Sequence, residues 1–360
     1  MTELATFLYS IPVLGVFFQL LGYLIATMPE IAPIYVALAA PIALGALCGI
    51  MNERSGVVNI GIEGMMLSAA FTSFLVAALV AQAMGPGNPT SVFGVTFPIL
   101  VGLAAGIATG MIVSVLHAWL SITIRADQII SGTIINILAF GVTGYLYRLI
   151  ISPNPRLGAG IFQPLVLPDF LVDLPGIGWI IKGLFAHGPI AISVLFWVIL
   201  LQVWLFRSRW GLRTRAVGEH PRAAETVGID VIRLRYRNVI LGGVFAGLAG
   251  AYLTLEQSGS FQNGMTGGRG FIALAAVIFG RWTPLGAFGA ALLFTASEAL
   301  RVAISLSPPT GELGTVIKFI PAEFYGAMPY IITLVVLVLA AGRSIAPAAV
   351  GKPYVREART

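Results

Sequence analysis

Apolar runs about twenty residues long recur along most of the chain and leave little room for anything else. Ten stretches are candidates, nine of about that length and one, 270–280, of only eleven residues: 7–26, 33–51, 60–82, 98–120, 128–150, 188–206, 238–258, 270–280, 285–305 and 326–342. A span needs roughly 20 apolar residues to cross about 30 Å of hydrocarbon. Charged residues make up 10% of the 360 and hydrophobic ones 58%, whereas a soluble domain carries about 25% charged residues. The expected fold is an all-α polytopic membrane bundle in the lipid bilayer, one transmembrane domain over 1–360 with about ten membrane segments, some discontinuous. The formal charge of +6 points to no nucleic-acid partner, because the basic residues flank apolar spans, where orientation signals belong. The single cysteine, Cys48, provides neither disulfide nor metal framework. The N-terminus reads as a span rather than a cleavable signal, since Glu3 and no Lys or Arg precede the first run.

The most polar stretch is Phe206 to Asn238, with eight arginines: Arg207, Arg209, Arg213, Arg215, Arg222, Arg233, Arg235 and Arg237. Basic loops stay cytoplasmic. Alternating outward from that assignment places Arg54, Arg125, Arg281 and the 343–360 tail (Arg343, Lys352, Arg356, Arg359) on the same side, fifteen of the 21 basic residues in all. Both termini are then cytoplasmic, and the Gly/Pro-rich segments 83–97, 152–187 and 306–325 face outside. Within the basic stretch, Pro221 suits a helix start and Gly228 a helix end. A short helix over Arg222–Val227 is expected there, with the flanking arginines orienting the chain.

Two segments are not ordinary spans. Residues 270–280, bounded by Arg269 and Arg281, would form a helix of only about 16 Å. Transporters place such broken helices at substrate sites. The other is Asn52–Gly64, polar and Gly-rich, which joins two apolar runs without a proper loop. The order of span, broken element and span recurs around 33–120 and 238–305, which fits either an inverted repeat or ordinary irregularity.

The motifs in these segments carry a resemblance. Asn52–Leu67 (NERSGVVNIGIEGMML) is similar to the signature of ABC importer permeases grouped with ribose, branched-chain amino acid and nucleoside importers. The likeness is greatest to the nucleoside (basic membrane protein-linked) subgroup, which GLRTRAVGEHPRAAETVGI and RADQIISGTIINILA also resemble, and it runs from about residue 33 to 342. The stretch around Pro221 resembles the family's coupling pattern of Glu-Ala-Ala, three residues, then Gly. Ala223, Ala224 and Gly228 match it, Arg222 stands where the Glu would be, and the later part is not kept. The resemblance implies a coupling element of Pro221, Arg222, Ala223, Ala224, Glu225 and Gly228. It implies separate cytoplasmic ATPase subunits that bind ATP and Mg²⁺, a paralogous second permease and an extracytoplasmic substrate-binding lipoprotein. This chain lacks the GxxxxGK[ST] motif, in keeping with that division of labour, and is expected to bind no cofactor and catalyse no reaction itself.

For a nucleoside-like substrate, neutral donors and acceptors such as Asn59, Thr133 and Asn136 could read it without burying a charge, and Glu63 is a further candidate. Glu63 follows Asn59 by four positions, and Asn136 follows Thr133 by three, so each pair can share a helix face. Ser, Thr and Asn also bond helix to helix in membranes, and both roles stay open. Gln262, Asn263 and Arg269 precede the short helix, whose first N–H groups would be unpaired. Glu298 and Arg301, three apart, are expected to pair inside the membrane and face the bundle, which lowers the cost of each charge. Glu256 and His117 are expected near the two interfaces. A secondary transporter is the alternative class; it would need an ionisable relay, for which only Glu298 and Glu63 serve.

Overall fold

The computed structural model describes residues 12–85, 94–310 and 345–355, together with scattered positions between 314 and 334. In chain order the helices are α1 (Pro12–Glu53), α2 (Ile62–Met84), α3 (Phe97–Ala118), α4 (Gln128–Leu146), α5 (Asp169–Val172), α6 (Gly178–Phe185), α7 (Pro189–Arg207), α8 (Arg209–Glu219), α9 (Pro221–Thr226), α10 (Val231–Tyr252), α11 (Arg269–Phe279) and α12 (Pro284–Leu306). One π turn extends each of α3, α4 and α10, at Trp119–Thr123, Tyr147–Ile151 and Leu253–Ser258. Among the described residues there is no strand, and seven helices are long and apolar enough to cross a membrane. The chain is a multi-pass membrane protein.

The described part of the expected span 7–26, residues 12–26, lies in one helix with the expected span 33–51; residues 7–11 are outside the described residues. The sequence between them, with Pro29, Glu30 and Pro33, reads as a break, yet α1 runs through it for 42 residues. That is about 63 Å, longer than one hydrocarbon core. Near the prolines the Thr27 hydroxyl donates back to the Tyr23 carbonyl at 2.8 Å, satisfying itself within the helix. The expected span 326–342 lies for the most part outside the described residues.

The chain divides into two compact units: 1–38, 166–186 and 292–339 form one, and 39–165, 187–291 and 340–360 the other. In the first, the Tyr35 hydroxyl donates to the Leu292 carbonyl at 2.6 Å and Tyr23 to the Ser307 carbonyl at 2.9 Å. The Glu298–Arg301 pair forms there as two bonds, 3.1 and 2.5 Å long, on an exposed face of α12 rather than one turned into the bundle.

The second unit is built on close backbone approach. Gly102, Gly106 and Gly110 recur every four residues on α3. A Cβ at Gly102 would lie 2.5 Å from the Ser73 carbonyl oxygen of α2, and one at Gly110 would lie 2.3 Å from the Gly243 carbonyl oxygen of α10. A Cβ at Gly250 of α10 would meet the Met66 carbonyl oxygen at 2.2 Å. Lipid tails are as apolar as leucine, so helices in a membrane gain by contact rather than by leaving water, and small residues permit that contact. At the far end of α10, the Glu256 carboxylate accepts from Ile190 N (2.7 Å) and Ala191 N (3.0 Å). It thus satisfies the first turn of α7, whose N–H groups have no partner within the helix.

A candidate permeation site and coupling element

Between α1 and α2 the backbone leaves the helix while staying buried, and nearby side chains satisfy it. Val58 N donates to Gln128 Oε1 at 2.7 Å, and its carbonyl lies 2.9 Å from His117 Nε2. The other ring nitrogen of His117 is 3.2 Å from Ser131 Oγ. His117 is fully buried, because the C-terminal end of α3 packs against this segment and α4. Asn59 does not share a helix face with Glu63. Its Oδ1 accepts from Gly61 N at 3.0 Å, a local turn that competes with helix, and α2 begins only at Ile62. Asn136 of α4 bridges the same segment, accepting from Gly64 N at 2.7 Å and donating to the Ile60 carbonyl at 3.0 Å.

Glu63 reaches the short helix α11, which forms over Arg269–Phe279, one residue from the expected bounds. Its carboxylate accepts from Gly268 N at 2.8 Å and from Gly270 N at 2.6 Å. The N–H groups that the sequence leaves open are thus occupied by an anion at the positive end of the helix dipole. Arg269 turns back onto its own loop, donating to the Met265 carbonyl at 2.9 Å.

The segment before α11 runs along α4. Phe261 lies beside Tyr147 with ring centroids 6.0 Å apart and planes inclined at 55°, Gly144 faces the Asn263 side chain, and Gly264 faces Phe140. Gln262 and Asn263 are exposed on this segment and Thr133 is exposed on α4, where its hydroxyl donates to the Ile129 carbonyl at 2.9 Å. Of the candidate path residues, Asn59, Glu63 and Asn136 therefore hold backbone, while Thr133, Gln262 and Asn263 present themselves at the surface of the unit.

The basic stretch is more ordered than a loop. Most of it is helical, and α8 has no counterpart in the sequence reading, although Ser208 caps it by accepting from Gly211 N at 3.0 Å. The short helix α9 starts at Pro221 and ends in a left-handed Gly228, φ +85°. Ile229 N donates to the Ala224 carbonyl (3.1 Å) and Gly228 N to that of Glu225 (2.9 Å), the bond pair of a Schellman ending. Ala224 is buried, whereas Arg222, Ala223, Thr226 and Val227 are exposed.

Several arginines in and around this stretch act within the fold. Arg54 donates to the carbonyls of Trp282 (2.8 Å) and Arg281 (3.2 Å). Its guanidinium and that of Arg215 lie 5.5 and 5.2 Å from the centre of the Phe206 ring. Burial lowers the Arg54 guanidinium below its ordinary range, with Glu219 opposing and Arg215 adding to the shift. Gly218 is pressed on the Arg54 carbonyl, where a Cβ would come within 2.2 Å. Arg235 is buried rather than solvated, so it too has a role within the fold. Charge count alone does not separate the two kinds.

Membrane-length helices, a broken helix held by side chains and a short basic helical element together define a membrane permease component. Residues 32–340 match the family model described as the branched-chain amino acid transport system / permease component, and the chain belongs to that family. It is 38% identical to the guanosine ABC transporter permease protein NupQ of Bacillus subtilis, over 91% of this chain and 97% of the relative. It is 34% identical to the nucleoside ABC transporter permease protein NupC of Lactococcus lactis, over 88% and 94%. The same identity, over 89% and 95%, relates it to a putative glucose ABC transporter permease protein, TsgC13, of Haloferax volcanii. No solved structure matches the chain.

Proposed function

We propose that this chain is a transmembrane permease subunit of an ATP-driven importer for nucleosides. The near end-to-end likeness to a guanosine permease carries the reading. The neutral Thr133, Gln262 and Asn263 suit it, since base edges and ribose hydroxyls need donors and acceptors rather than buried charge. In this reading those three, with Arg269, border the path, and Asn59, Glu63 and Asn136 keep its backbone in place. Pro221 to Gly228 transmits the motion of a partner ATPase, and ATP and Mg²⁺ are bound by that partner alone. A paralogous permease completes the pore and an extracytoplasmic lipoprotein delivers substrate. With the first two expected spans joined in α1, the expected ten membrane segments fall by one, and in this reading α9 and the C-terminal tail lie on the cytoplasmic side.

The test is uptake of radiolabelled guanosine by host cells with the chromosomal copy deleted and this chain restored. We expect uptake to return, and excess unlabelled nucleosides, not glucose or leucine, to compete with it. Restoration of glucose uptake alone would redirect the reading to sugars, as the likeness to the putative glucose permease suggests.

A further inference from the structure

The described end of the chain folds onto the coupling element. Ala349 N donates to the Gly218 carbonyl at 2.9 Å and Ala348 N to a Glu219 carboxylate oxygen at 3.1 Å, where α8 ends. The Tyr354 hydroxyl bonds to the carboxylate of Glu225 in α9. The Tyr354 ring is buried in a cluster with Val217, Ala224, Val231 and Leu234. Arg235, only 1% exposed, ties the tail to a third segment. Its Nε donates to the Ser55 carbonyl at 3.0 Å and its Nη1 to the Lys352 carbonyl at 3.1 Å, and the guanidinium lies 5.9 Å from the centre of the Tyr354 ring. Gly56, at φ +89°, makes room for it: a Cβ there would sit 2.6 Å from Nη2.

A six-residue helix does not hold itself in water. Its inward residues, Ala224 and Glu225, are the ones that meet the tail's cluster and the Tyr354 hydroxyl. We propose that residues 345–355 are a strap that sets the position of α9, with Tyr354 and Arg235 as the positioning residues. The surface offered to the partner ATPase is then a composite of α9 and the exposed edge of the tail at Gly351–Pro353. This inference rests on α9 being the coupling element and adds that α9 does not act alone.

The experiment measures guanosine transported per ATP hydrolysed, in membranes holding the intact importer, with the amount of inserted chain quantified for each variant. A chain ending at Ser344 should lose tenfold or more of the transport per ATP while remaining inserted. Tyr354→Phe keeps the ring and removes the hydroxyl, and should lower the ratio two- to fivefold. Glu225→Leu should do the same, and the double variant should be no worse than either single one, because residues acting through one contact are non-additive. Should the truncated chain fail to insert, the Tyr354/Glu225 cycle decides by itself. An unchanged ratio in Tyr354→Phe, with uptake abolished by deletion of 221–227, overturns the strap and leaves α9 as the coupling element. Unchanged uptake after that deletion would overturn both.

Discussion

Glu63 shows how one residue can be visible in sequence while its partners are not. Its place in NIGIEG marks it as an intramembrane polar group, but its partners, Gly268 N and Gly270 N, lie 205 and 207 residues away, and no local pattern brings them together. Glu63→Ala leaves two N–H groups unsatisfied at about 1–3 kcal/mol each, so the purified chain should melt several degrees lower. Glu63→Gln, which keeps one oxygen acceptor, should fall in between. A thermal unfolding series in detergent checks this. Asn136 and Thr133 separate in the same way. Asn136→Leu orphans Gly64 N and the Ile60 carbonyl and should lower the yield of folded protein. Thr133→Val should leave yield unchanged and alter guanosine affinity, as read by the concentration dependence of uptake. Equal effects of both on yield would return Thr133 to helix packing.

At the scale of the element, the short helices were legible and their surroundings were not. Pro221, Gly228 and the bracket of Arg269 and Arg281 are local punctuation, and local punctuation reports a helix's ends. Helix α8 escaped notice because RWGLRTRAVGE lacks an apolar run, and its support comes from Trp204 stacking on Trp210, ring centroids 4.4 Å apart, and from Gly218 lying on Arg54. Proline normally ends a helix, yet α1 passes Pro29 and Pro33 unbroken and so holds residues 12–26 and 33–51 of two expected spans. The α3 stripe of Gly102, Gly106 and Gly110 is plain in the sequence as small residues four apart, but its partners on α2 and α10 are not. Gly110→Leu must push apart α3 and α10, and we expect the chain to lose its monodisperse peak in size-exclusion chromatography. Gly228→Val meets no neighbour within 4 Å and strains only the backbone, by about 1–2 kcal/mol. Insertion should survive it and uptake should not.

For the whole molecule, the basic stretch expected to set orientation is also a platform joining the ends of α1, α8, α9, α10 and the tail. That economy accounts for the density of arginine there: some, such as Arg235, are interior struts. The orientation is open to a direct check, because Cys48, the only native cysteine, is fully buried and should stay silent to a membrane-impermeant maleimide. Asn154→Cys should label in intact cells, and Arg222→Cys only after the membrane is opened. The reverse pattern would invert the topology.

In the proposed function, ATP acting through α9 drives the movement of a nucleoside through this chain. The most direct measurement is guanosine uptake into right-side-out vesicles or proteoliposomes carrying the complete importer with its substrate-binding protein outside, energised either by ATP enclosed on the face bearing α9 or by ion gradients alone. Uptake that requires ATP, ignores the gradients and disappears on deletion of 221–227 is the predicted result. Uptake sustained by a gradient without ATP would contradict the account and make the chain a secondary transporter.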